Sequence, residues 1–212
     1  MGNYVRFPIT NVEGDLVAQY RNPREKLYAS LELNQVAFPK TGMVVSQTPL
    51  GAAFTADAPC ENGMWVVADK AAGAINPPTG TNDVPMGIVY TTEKEYDREH
   101  YGLQRFGRKI AGDYPRVGLF GIGDTFTTNC LQYSKSNFAD EATLLAALKA
   151  IDTTPLYVIP GNSSDLADAS AKAVPEIVKA AGIPQTGIYA KIVKFYTIPN
   201  GGIGVKYQIM RV

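Results

Sequence analysis

The groups able to do chemistry are few and scattered along the chain. His100 is the single histidine, and Cys60 and Cys130 are the two thiols. One histidine builds neither a zinc site nor a Ser-His-Asp arrangement, because both need several groups converging on one point, so His100 reads as a surface residue. The two cysteines lack metal-ligand spacing and are too few for a disulfide framework. They read as unpaired thiols in a reduced environment, packed as small hydrophobes. Asp69, Asp83, Glu93, Asp97 and Asp124 offer carboxylates for glycoside hydrolysis, which needs a pair roughly 5 to 9 Å apart. Their spacing singles out no pair, and acids at turns ordinarily serve turn geometry. Gly118, Gly121 and Gly123 invite comparison with a phosphate loop, but Asp-Thr-Phe-Thr-Thr follows them where a helix is required. Glycines in a strand mark a bulge, a bend or a close backbone approach. No catalytic, cofactor-binding or metal-binding residue is therefore assigned, and the chain is expected not to be an enzyme.

The elements that would carry any site are strands joined by turns. The chain has 212 residues, 45% of them hydrophobic and 19% charged, which suits a globular protein with one substantial core or two smaller ones. The 20 basic and 20 acidic residues cancel. Without a basic excess or a long basic run, nucleic acid is not an expected partner. No apolar run approaches the ~20 residues that span a bilayer, and the first residues lack a signal-peptide pattern, so no membrane partner is expected either. Residue 6 is Arg where a myristoylation signal needs Ser or Thr.

The organising stretch runs from Cys60 to Thr92. Two apolar runs, Met64 to Ala68 and Met86 to Tyr90, bracket a middle crowded with Gly, Pro, Asn and Asp. That pattern predicts two buried strands, with a turn at Asn62-Gly63, a short return at Ala74-Ile75 and a polar loop between them. Trp65 lies within an apolar strand and reads as core. Near the end of the chain, Ile188 to Ile198 and Ile203 to Val212 flank Pro199-Asn200-Gly201-Gly202, a strong hairpin signal. Ile203, Val205, Tyr207 and Ile209 fall on one face of the last strand. This hairpin is expected to close the sheet begun at Met64.

Helical spacing of Leu144, Leu145, Leu148 and Ile151 predicts a helix near 138–151, with Asp140 and Glu141 at its positive end. A second, alanine-rich helical segment is predicted near 165–182, divided by Pro175 and closed by Gly182. Residues 1–55 lack a long periodic segment and carry Pro23, Pro39 and Pro49, so they read as an extended N-terminal arm or wrapping segment. Residues 56–212 form the β-rich domain. The expected class is mainly β with short helices (α+β), built on a β-barrel or β-sandwich core.

Between Thr92 and Gly112 charges of both signs alternate with aromatics. Such a segment is a solvated face or the polar rim of an aromatic contact patch, since Tyr and Arg are enriched at interface cores. The candidate contacts with another protein or a second subunit are Tyr96, Arg98, Tyr101, Arg105 and Phe106 here, with Tyr4, Phe7, Tyr20, Tyr28 and Phe38 from the arm.

The stretch Gly-Met-Trp-Val-Val-Ala-Asp, the short Gly-Ala-Ile, the polar loop and Pro-Met-Gly-Ile-Val-Tyr-Thr together resemble strands of the capsid decoration proteins of tailed bacteriophages. The later Gly-Asp-Thr-Phe-Thr-Thr-Asn and the terminal hairpin are similar in character to virion structural proteins of this kind. The specific likeness covers Cys60 to Thr92. It implies a cement protein on the outside of a capsid, made in the host cytoplasm, bridging major capsid protein subunits and often trimeric. The chain departs from the smallest members in being longer, with an extra first third and helical insertions. The alternative is a ligand- or carbohydrate-binding β module on a virion surface, using Trp65, Tyr90, Tyr96 and Tyr101 as an aromatic platform.

Overall fold

The computed structural model describes residues 4–6, 42–56, 58–91, 108–161, 172–197 and 203–212. The two apolar runs of the organising stretch are β4 (Trp65–Val67) and β5 (Met86–Val89), paired antiparallel with Trp65 opposite Ile88. The chain enters β4 through the Asn62-Gly63 turn, which Met64 N–H closes onto the Glu61 carbonyl at 3.2 Å. Ile75 and Asn76 return between the strands and bridge to Leu50 and Val67. Two more strands, β2 (Val44–Val45) and β7 (Val117–Leu119), complete a four-stranded sheet in the order β2-β7-β5-β4. A separate two-stranded ladder joins β3 (Cys60–Glu61) to β6 (Arg108–Lys109).

This sheet is apolar on both faces, which is why its strands read as continuous apolar runs rather than alternating ones. Trp65, Met86 and Ile88 point into one core with Phe120. Met64, Val66, Ala68 and Val89 point into a second, with Leu50, Phe54, Ile75 and Val117. β5 and β7 approach so closely that a Cβ on Gly87 would lie 2.4 Å from the Gly118 carbonyl oxygen.

The larger sheet has seven strands in the order β1-β9-β11-β10-β12-β13-β8. They are β1 (Tyr4–Arg6), β8 (Thr125–Thr128), β9 (Gln132–Ser134), β10 (Tyr157–Ile159), β11 (Glu176–Val178), β12 (Tyr189–Thr197) and β13 (Ile203–Arg211). All neighbours run antiparallel except β9 and β11. Its inner face, including Phe126, Val158, Ile177, Ile192, Val205, Tyr207 and Ile209, packs on Trp65 and Ile88 of the smaller sheet. The helix α1 (Glu141–Lys149) covers the rest through Leu144 and Leu148. Asp140 caps it, its carboxylate accepting from Thr143 N–H at 2.7 Å. The Thr143 hydroxyl and amide hold the Asp140 carboxyl below the usual range. Glu141 in the first turn adds a negative charge at the positive end of the helix.

Four expectations need correction or restriction. The terminal hairpin forms as predicted, with Val205, Tyr207 and Ile209 buried on one face. It does not close the sheet begun at Met64, however, because β12 and β13 belong to the seven-stranded sheet and only face that strand across the core. Among the described residues no barrel closes, since β1 and β8 stay at opposite edges. The helical reading of 165–182 also fails where it is described. Residues 176–178 are a strand, and a single 3-10 turn, Ala180–Gly182, follows. Ile177 and Val178 are β-branched, follow a proline and gain two strand neighbours, which outweighs the alanine content around them. The boundary at residue 55 does not separate an arm from the domain in the described parts. β1 and β2 are sheet strands, and Val45, Leu50 and Phe54 are core.

Candidate functional site

Two loops meet beside the small sheet, close to Met43, the residue before β2. The first runs through residues 79–85 and is tied by Asp83, whose Oδ2 accepts from the Thr79 amide, the Thr79 hydroxyl at 2.9 Å and the Gly80 amide at 3.1 Å. The second, residues 184–187, is held by Arg211. Its guanidinium donates to the carbonyls of Pro184 at 2.7 Å, Gln185 at 3.0 Å and Gly187, and it lies over the Tyr189 ring at 4.9 Å. The loops touch backbone to backbone: Ile188 N–H donates to the Thr81 carbonyl at 2.8 Å. Gly187 has φ +85°, and a Cβ there would sit 2.1 Å from the Thr81 carbonyl oxygen, so only glycine fits.

Between these loops and β2 lies a groove of about 480 Å³, lined by Met43, residues 81–86, Leu119, Phe120, Gly187, Ile188 and Val212. Its rim is unusually apolar for surface: Val84 is 72% exposed, Met43 55% and Val212 51%. β2 is the outer strand of its sheet, so its far side is open to another strand among the described residues. Of the side chains lining the groove, Asp83 alone carries a carboxylate, and its own loop already engages it. A surface of this kind takes apolar side chains or an extended apolar segment, and offers no acid-base pair.

The other acids also serve local geometry. Asp69 accepts from Ala71 N–H at 2.8 Å and Asp113 from Ile110 N–H at 2.9 Å. Asp124 is fully buried, accepts from Gly121 N–H at 2.7 Å, and leaves Oδ1 without a hydrogen-bond partner among the described residues. Burial pushes its pKa up. It stands in the turn between β7 and β8, and no helix follows Gly123. Burial raises the pKa of Glu176 to about 7, against one long hydrogen bond from Asn137 at 3.4 Å. No group of three or more His, Cys, Asp or Glu able to hold a metal occurs among the described residues. Within the same residues no helix is long and apolar enough to cross a membrane.

The contact residues expected from sequence are not assembled here. Phe7, Tyr20, Tyr28, Phe38, Tyr96, Arg98, Tyr101, Arg105 and Phe106 lie outside the described residues, as do His100, Glu93 and Asp97. Tyr4 is placed by its backbone alone, opposite Ser134 at the edge of the large sheet. Of the aromatic platform, Trp65 is fully buried, its indole N–H donating to the Tyr207 hydroxyl at 2.9 Å, and so is closed to a ligand. The groove itself was missed from sequence. Its one legible sign is Val84, a lone large apolar residue in an otherwise polar loop.

No family model, no curated protein and no solved structure matches the chain.

Proposed function

We propose that the chain is a non-catalytic structural protein of a tailed-phage virion, which binds the outside of the capsid and stiffens it by bridging major capsid subunits. The observation that supports this reading best is the apolar groove opening beside β2, the outer strand of the small sheet among the described residues. An extended segment of a capsid subunit can add to that edge while its side chains enter the groove. The two facing sheets serve as a rigid sandwich. Bridging then multiplies modest contacts through high effective concentration, most of all in a trimer. The likeness of Cys60 to Thr92 to decoration proteins points the same way. The commitment of Asp69, Asp83, Asp113 and Asp124 to turn amides favours binding over catalysis.

Sedimentation and electron microscopy with empty capsids of the same phage test this directly. The wild-type protein is expected to co-sediment with capsids, and a Met43→Asp/Val84→Asp variant with unchanged thermal stability is expected not to. Absence of capsid binding together with glycan-array binding would select the carbohydrate module instead.

A further inference from the structure

The side of the terminal hairpin turned away from the core carries a second surface, chemically unlike the groove. Lys191, Lys194 and Lys206 stand there, the first two exposed and the third half-buried. The β12–β13 register sets Lys194 directly opposite Lys206, and Lys191 opposite Gln208. Like charges facing each other across a ladder are destabilising, so this arrangement costs stability unless a carboxylate offsets it. Within the described residues no carboxylate pairs with any of the three; Lys194 lies instead over the Tyr196 ring at 5.8 Å. Val193 at the β12 bulge and Met210 of β13 add exposed apolar area, 45% and 40% exposed.

We infer that this face of β12 and β13 docks a carboxylate-rich protein surface. Charge complementarity sets the sign of the partner, and the apolar Val193 and Met210 set its class. A protein interface buries apolar atoms inside a charged rim, whereas a nucleic acid is held by many phosphate contacts at once. Arg211, the cation best suited to a phosphate, is already spent on the carbonyls of residues 184–187. None of the three lysines is among the residues that line the groove.

The full chain is titrated against poly-L-glutamate and against a short DNA duplex at low salt. Poly-L-glutamate is expected to bind more tightly than DNA and to weaken as salt is added. The Lys191→Gln/Lys194→Gln/Lys206→Gln variant is expected to lose about tenfold, while Lys70→Gln/Lys135→Gln/Lys149→Gln, which removes three exposed lysines elsewhere, stays within about twofold. Should the triple variant misfold, the exposed pair Lys191→Gln/Lys194→Gln is used, with about a fivefold loss expected. Tighter binding to DNA overturns the proposal in favour of a nucleic-acid surface. No binding of poly-L-glutamate, or an equal loss in the control variant, overturns it outright.

Discussion

β4 and β13 meet through Trp65 and Tyr207, whose rings pack edge to face at 5.8 Å, yet the sheets behind them are made differently. The small sheet sends side chains into an apolar core on each side, so nearly every position along β4 and β5 is constrained. The hairpin of the large sheet alternates: Val205, Tyr207 and Ile209 go in, while Lys206, Gln208 and Met210 go out. The first arrangement gives rigidity and leaves nothing to recognise a partner except its edge, β2, and the loops at its end. The second leaves outward positions of the hairpin, Lys191 and Lys194 among them, exposed to carry charge. Structure and recognition are thus separated by sheet, with Trp65 as the join.

The strongest way to break the comparison is at that join. Trp65→Ala should cost about 3 to 5 kcal/mol in urea unfolding, because it empties a site that touches both sheets. Val193→Ala on the outward face should stay within about 0.5 kcal/mol. Equal losses would mean that the two sheets are not constrained differently. Next comes Gly87→Ala, whose new methyl meets the Gly118 carbonyl; a loss of about 2 to 3 kcal/mol is expected, read from the same titrations.

The smallest effect sharpens the contrast within the large sheet, whose outward side is dry near β9 and β11. Glu176, Gln132 and Ser134 are buried there. Glu176 has a folded pKa raised to about 7 against an ordinary value of 4.5, so the folded state holds its proton longer than the unfolded chain does. Its contribution is therefore present below pH 4.5 and is lost as pH rises through 7. Glu176→Gln should raise stability at pH 8 by about 1 to 2 kcal/mol and flatten that slope, measured by thermal melts across the range.

Much of the scaffold was legible because local signals agreed with the fold. Asn62-Gly63 makes its turn, Leu144 and Leu148 mark the buried side of the helix, and the alternation of β13 names its inner face. Sheet membership was not legible. Hairpin signals say which strands are neighbours in sequence, but the pairing of β9 with β11, or of β2 with β7, is settled by long-range packing that no local window contains. For the same reason Glu176–Val178 reads as helix by composition and folds as strand. The groove needed three distant pieces, Met43, Val84 and Val212, and only Val84 stands out from its own neighbours in the sequence.

The chain also carries its own clock for opening. Cys60 and Cys130 are 1% and 0% exposed, and neither is in a disulfide. A maleimide reagent can reach them only when the corner around β3 and the end of β8 swings out, so the rate of alkylation reports that excursion with no probe introduced. Labelling followed by mass spectrometry on each thiol separately would tell whether the two sites come undone together or apart.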